Sequence, residues 1–198
     1  MKYARALLES VSPYSQSRCY TEEIPKKEKE THDAYERRTW KNRLWVVSAG
    51  KKQGHIFIPP TSFANGLKEA CRRLKLQVPG KGKTEYTKYF EAGVMVPDPL
   101  ILDVKESDAI EERLHVPSDG RPGGGKRVWK SFPRIEHWSG EVLFIVFDDL
   151  ITEDVFRTVL EAFGQLVGIG RFRPQNRGYY GRFEVKKLTW TEHKIRAA

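Results

Sequence analysis

The sequence is poor in cysteine, in methionine and in long apolar runs. Its 198 residues hold two cysteines, Cys19 and Cys71. Two cannot build the disulfide framework of a small secreted scaffold, and they lack the number and spacing of a metal site. A reducing cytoplasm fits this usage, and neither metal nor cofactor is expected. No apolar run is long enough to span a bilayer. The opening MKYARALLESVSPYS has only a short apolar patch, interrupted by Arg5 and Glu9, so no signal peptide is expected.

What is plentiful is positive charge. Lys and Arg number 35 against 26 Asp and Glu, a formal net charge of +9. That balance points to a polyanionic partner, although charge alone does not separate nucleic acid from an anionic membrane. The hydrophobic share, 39%, is enough for a real core. One domain, 1–198, is expected, with insertions at about 19–45 and 97–140.

The most informative stretch is GQLVGIGRFRPQNRGYYGRFEVKK, residues 164–187. Gly164, Gly168, Gly170, Gly178 and Gly181 stand among Arg171, Arg173, Arg177, Arg182, Lys186 and Lys187. Phe172, Tyr179, Tyr180 and Phe183 are interleaved with them. Glycine lets backbone approach a ligand and take positive φ. Arginine pairs with phosphate through a planar fork, and aromatic faces stack on bases. Together they describe a loop gripping a single-stranded phosphate backbone. The alternative is a glycine-rich hairpin with solvated arginines.

Lys2 to Val11 is ambiguous between strand and short helix, and turn chemistry at Ser12-Pro13 favours a strand. Residues 21–43 are a charge run of both signs, read as a solvated excursion. Tyr35, Trp40 and Arg37-Arg38 leave room for a binding role. Leu44–Val47 and His55–Ile58 read as short strands, the first returning the chain to the sheet. Apolar residues at helical spacing (Phe63, Leu67, Ala70, Cys71, Leu74) predict a helix over 62–75, capped by a hydroxyl residue. Lys81-Gly82-Lys83-Thr84 lacks the spacing of a phosphate loop and reads as a basic turn. Gly93–Val96 is a short strand. Residues 97–140 look inserted, with a flexible glycine stretch at 118–125. Basic residues Arg121, Lys126, Arg127, Lys130 and Arg134 there flank Trp129 and Phe132, as a mobile arm over single-stranded nucleic acid would require. The alternative is a linker ending in an edge strand. Val142–Phe147 is continuously apolar and reads as a strand buried on both faces. Asp148 and Asp149 suit a turn better than a metal. Thr152 caps a helix, Ile151 and Phe156 form a staple, and a stripe from Val155 to Val167 packs on the core. Tyr180–Thr189 closes the chain as a strand.

Stripped of insertions the order is βαββαβ, the α+β, ferredoxin-like or RRM-like plan with an antiparallel sheet. The chain resembles the RAMP superfamily (repeat-associated mysterious proteins) of CRISPR systems, especially the backbone subunit that polymerises along guide RNA. Three pieces carry the resemblance: the first strand ending Ser10-Val11-Ser12-Pro13; Ile58-Pro59-Pro60-Thr61-Ser62-Phe63-Ala64-Asn65-Gly66-Leu67-Lys68; and Gly168-Ile169-Gly170-Arg171 through Gly178-Tyr179-Tyr180-Gly181-Arg182-Phe183. About a fifth of the residues sit in motif positions. Gly66 falls one place late and Lys68 stands where arginine is common. The chain is also shorter than many backbone subunits, which suggests a stand-alone member encoded by a virus or mobile element. The resemblance implies that residues 21–43 or 121–134 correspond to the thumb-like hairpin that wedges between bases. It places the protein in the cytoplasm of a prokaryotic or phage-infected cell.

The expected function is non-catalytic binding of single-stranded nucleic acid, most simply RNA. Gly168, Gly170, Gly178 and Gly181 shape the loop, and Arg171, Arg173, Arg177 and Arg182 hold phosphates. Phe172, Tyr179, Tyr180 or Phe183 stack or shape the groove. Lys68, Arg72 and Lys83 extend the basic track, and Arg127, Trp129 and Lys130 form the arm. Self-association along the strand, or joining other subunits of a ribonucleoprotein, would follow; a membrane partner is not expected. A second reading is an RNA-cleaving enzyme using His32 and Asp33, with His55 and His137 as further candidates. A third is an adaptor or decoy that joins or blocks a CRISPR complex, and a phage strand-annealing protein falls between the first and third.

Overall fold

The computed structural model describes residues 1–18, 24–118 and 125–192. Cys19, Arg121, Gly120, Gly123 and Gly124 therefore lie outside the described residues. In chain order the elements are β1 (Lys2–Ser10), β2 (Tyr14–Ser15), α1 (His32–Thr39), β3 (His55–Ile58), α2 (Pro60–Leu74), α3 (Thr87–Gly93), β4 (Val94–Met95), β5 (Leu100–Lys105), β6 (Ile110–Pro117), β7 (Arg127–Ile135), β8 (Ser139–Val146), α4 (Glu153–Ala162) and β9 (Phe183–Glu192).

β1 forms because its residues alternate. Ala4, Ala6 and Leu8 are fully buried, while Arg5, Leu7 and Glu9 face the other side. Small alanines let helices sit close to the sheet. The main sheet has the order β4-β8-β1-β9, with every neighbour antiparallel. With the excursions removed, the core runs β1, α2, β4, β8, α4, β9, and its first and third strands occupy the middle of the sheet. That is the ferredoxin-like arrangement in an α+β fold. Phe63 of α2 and Phe156 of α4 meet Phe144 of β8 edge to face, with centroids 6.2 and 5.2 Å apart.

The second excursion pairs with segments on either side of the first: β2 pairs with β7, and β3 pairs with β5. β6 and β7 form a hairpin in continuous register from Ile110↔Arg134 to Pro117↔Arg127. The first excursion meets the hairpin through side chains: Arg113 engages Asp33, and Glu36 accepts from the Ser131 N–H.

Several expectations are corrected. The charge run is not merely solvated: within it α1 buries Glu36 and Thr39, and Trp40 in the following turn is 8% exposed. Leu44–Val47 does not return to the main sheet; only Val46 bridges, to Ile56. α2 begins at Pro60, and its N-cap is Pro59 with no side-chain cap. Proline suits that first position because its missing N–H would have had no helical partner. The second excursion is neither a linker nor an isolated edge strand but three paired strands. β8 is buried on one face only: Val142, Phe144 and Val146 are buried, whereas Leu143 and Ile145 are half-buried. The last strand starts at Phe183 rather than Tyr180. The Thr152 cap holds, with its hydroxyl accepting from the Val155 N–H, and Ile151 and Phe156 are both fully buried. Asp148 accepts from the Leu150 N–H, as a turn residue does.

Candidate nucleic-acid interface

α4 does not stop cleanly. A π-helical turn, Phe163–Val167, carries it into the glycine loop. Gly168, Gly170 and Gly181 all have positive φ, between 70° and 74°. The close approach that glycine permits here is to the chain itself. A Cβ on Gly170 would lie 2.4 Å from the Ser15 carbonyl oxygen, and one on Gly181 would lie 1.9 Å from that of Ile169. One on Gly178 would strike the Phe172 carbonyl. The loop is laced to the segment around β2 by backbone bonds, Arg171 N–H to Ser15 C=O at 2.8 Å and Gly181 N–H to Pro13 C=O at 2.7 Å. The glycines thus build a rigid platform that carries the arginines.

Arg171 lies over two rings, 4.1 Å from the Phe132 centroid and 4.9 Å from that of Phe172. It donates to the Ser17 hydroxyl at 3.1 Å. Burial pulls its pKa below the usual arginine value, and the neighbouring Arg43 charge pulls it further. Arg43 also lies over Phe132, but its charge is matched by the buried Glu36 at 2.7 Å. The Arg182 guanidinium donates to the carbonyls of Gln165 and Tyr179. Arg177 is exposed in the left-handed conformation, φ 62°. Among the described residues, Nε of Arg171 and of Arg173 are buried without a hydrogen-bond partner. Among the described residues, none of the four loop arginines is within 4.0 Å of a carboxylate.

The aromatics divide. Tyr179 is 62% exposed. Tyr180 is half-buried, and its hydroxyl donates to Glu112 of β6. Burial, and then that carboxylate, push its pKa up to about 12. Phe172 packs edge to face on Phe132, and Phe183 belongs to the core at 1% exposure.

Other predicted residues are spent on carboxylates. Lys68 pairs with Glu91 of α3, and Arg72 reaches Glu69 and Glu91. The hydrogen bond from Lys68 holds the Glu91 carboxyl below its ordinary pKa. Their helix touches the loop through Gln175, which donates to Glu69 at 2.9 Å. Lys83 sits exposed in the turn before α3. On the hairpin, Trp129 is 50% exposed, flanked by His115 and by the Arg113 guanidinium 5.3 Å from its centroid. Arg127 donates to the His115 carbonyl, and Lys130 is half-buried opposite Leu114. Asp33 is engaged by Arg37 and Arg113, and His32 faces Glu36 at 4.0 Å. His55 contacts the Leu102 carbonyl at 2.9 Å, and His137 lies on a separate cavity with Glu9 and Asp103. No cluster that could hold a metal occurs among the described residues. No described helix is long and apolar enough to cross a membrane.

Sequence reasoning missed a cavity of about 250 Å³ beside the loop, lined by Tyr14, Gln16, Ser17, Trp45, Pro59, Ser62, Gly170 and Arg171. It also missed Arg18, whose guanidinium lies 4.8 Å from the Trp45 ring centroid. The signal was an arginine and a tryptophan far apart in an excursion, and only long-range pairing brings them together.

No family model matches this chain, and no curated protein matches it in sequence. Among solved structures, the chain is similar to one in "Cryo-EM structure of the Type III-B Cmr-beta bound to cognate target RNA", at 10% identity and a TM-score of 0.47. The likeness covers 96% of this chain and 61% of that one, so the chain spans about three fifths of its neighbour's length.

Proposed function

We propose that this protein is a non-catalytic binder of single-stranded nucleic acid, RNA by preference, that holds phosphates on the loop between α4 and β9. The observation that carries the reading is the charge of that loop. Arg171, Arg173, Arg177 and Arg182 share one rigid turn and lack a carboxylate partner among the described residues, while Lys68, Arg72, Arg43, Arg113 and Arg134 each have one. Uncompensated cations gathered on a fixed backbone repel one another, and a row of phosphates relieves that repulsion.

The convergence of both excursions on the loop supports an extended track. Trp129 at the exposed part of the hairpin offers a face for stacking or wedging between bases. In this reading the β6–β7 hairpin is the arm, and the motif resemblance to RAMP backbone subunits, which polymerise along guide RNA, supports a role within a ribonucleoprotein or a filament of its own copies. A cytoplasmic setting and a single-domain organisation belong to the same proposal.

The test is binding of labelled single-stranded RNA and of the matching duplex across a range of salt. About six neutralised phosphates on a single strand give a slope of log K against log salt near −4. A slope near zero, or equal affinity for duplex, overturns the proposal.

A further inference from the structure

The cavity between the glycine loop and the first excursion has a shape and chemistry that phosphate binding does not use. We propose that it is a slot for one unstacked base of the bound strand, which stacks on Trp45 in place of Arg18. The inference rests on the single-strand reading above and adds a specific base site to it.

Size is the first ground. At about 250 Å³ the cavity lies just below the usual range of small-molecule pockets, which suits one heterocycle. Its position is the second. Gly170 and Arg171 line it, so a nucleotide whose phosphate meets Arg171 has its base at the mouth.

The lining is the third ground. Gln16 is 2% exposed and fully engaged: Nε2 donates to the Phe57 carbonyl at 2.6 Å and to the Tyr14 hydroxyl at 3.1 Å, and Oε1 accepts from the Trp45 N–H at 2.7 Å. Gln16 therefore fixes the Trp45 backbone and uses one lone pair of the Tyr14 oxygen. The Tyr14 proton is left to donate, and burial raises the tyrosine pKa, so that proton stays in place. The hydroxyls of Tyr14 and Ser62 with the Arg171 guanidinium offer donors to a base edge. Such a lining suits a heterocycle with carbonyl or ring-nitrogen acceptors better than an aliphatic group.

Arg18 is the fourth ground. Its backbone N–H is tied to the Arg43 carbonyl at 2.9 Å, while its guanidinium rests on the indole. Arg18 and Trp45 are both half-buried, and a cation–π contact at such a site is no stronger than a base stacked on the same aromatic face. An incoming base therefore displaces the guanidinium, and Arg18 turns to the phosphate of the nucleotide that displaced it.

The test compares binding of a normal single-stranded RNA and the same ribose-phosphate strand without bases, to wild type and to Trp45→Leu, Trp45→Phe and Arg173→Ala. Trp45→Leu keeps an apolar side chain against Phe57 and removes the flat face. Its normal-strand affinity is expected to fall about 10- to 100-fold, with an unchanged salt slope. Trp45→Phe is expected to recover most of that loss. On the baseless strand, wild type and Trp45→Leu are expected to bind alike. If both strands lose the same factor in Trp45→Leu, or neither does, the slot is overturned while the phosphate reading stands, because Arg173→Ala still lowers the salt slope. If wild type binds no strand at any salt, the phosphate reading falls first and takes the slot with it. A free mononucleotide that shows the Trp45 dependence while the strand shows none also overturns the proposal.

Discussion

The guanidinium carbon of Arg171 stands 4.1 Å from the centroid of the Phe132 ring, which joins the glycine loop to the second strand of the hairpin. Phe132 is fully buried, although it lies on an excursion rather than on the ferredoxin-like core. Its ring also receives Arg43 and meets Phe172 edge to face. One side chain thus fixes the relation between loop, hairpin and the turn after α1. Phe132→Ala is expected to lower stability by about 3–5 kcal/mol, the usual cost of emptying a phenylalanine site. In a urea titration monitored by far-UV circular dichroism the midpoint shifts down accordingly. A shift no larger than that of a surface substitution shows that the hairpin and loop are not coupled through this ring.

The glycines of the loop are not equivalent to those of ordinary turns. Gly50 has φ 90° with nothing within 4 Å of where a Cβ would sit. Gly181 has φ 74° and a would-be Cβ 1.9 Å from the Ile169 carbonyl oxygen. Gly50→Ala should cost only the left-handed strain, about 1–2 kcal/mol. Gly181→Ala adds a backbone collision of the kind that overpacking penalises by about 1–3 kcal/mol more. Comparative melting of the two variants checks the difference. Equal melting temperatures would mean that the loop backbone yields easily and is not a rigid platform.

Tyr180 ties the loop to β6 through Glu112, and its proton responds to pH. Its pKa in the folded protein is raised to about 12 from an ordinary value of 10.0, first by burial and then by the carboxylate. The folded state holds this proton more tightly than the unfolded chain does. The contribution to stability is therefore complete below about pH 10 and lost as pH climbs toward 12. Tyr180→Phe should be less stable than wild type at neutral pH, with the difference shrinking across that alkaline window. Urea midpoints of both proteins at several pH values measure this. A constant difference across the window means that Tyr180 does not titrate as described.

Parts of this architecture are legible in sequence for clear physical reasons. β1 alternates, α4 carries a stripe and a threonine cap, and glycines mark the loop. Their signals are local. α1 was hidden because the face it buries is polar: Glu36 and Thr39 replace the apolar stripe, with Glu36 satisfied by Arg43 and the Ser131 N–H. The hairpin was half hidden because β6, IEERLHVP, has no clean alternation and takes its register from β7. Trp45 sits in LWVV, which reads as a buried strand; it lines the cavity only because Gln16, 29 positions earlier, pins its N–H. Lys68 looked free because Glu91 lies on α3, a helix of seven residues with too short a pattern to be predicted.

The sharpest separation between candidate contacts is between cations that already have a partner and cations that do not. Lys68 and Arg72 share Glu91, so a phosphate reaching them must displace a carboxylate, and little counterion is released. Arg173 and Arg177 have no such partner among the described residues. Arg173→Ala and Arg177→Ala are each expected to flatten the slope of log K against log salt by about 0.7, the increment for one phosphate on a single strand. Lys68→Ala should leave the slope unchanged and lower affinity modestly, because Glu91 is left uncompensated beside the track. Fluorescence anisotropy at four or more salt concentrations resolves the two behaviours. If Lys68→Ala flattens the slope as much as the loop variants do, the Lys68–Glu91 pair opens on binding and the strand runs on over α2. If no loop variant changes the slope, the phosphates are held elsewhere and the loop's charge has another purpose.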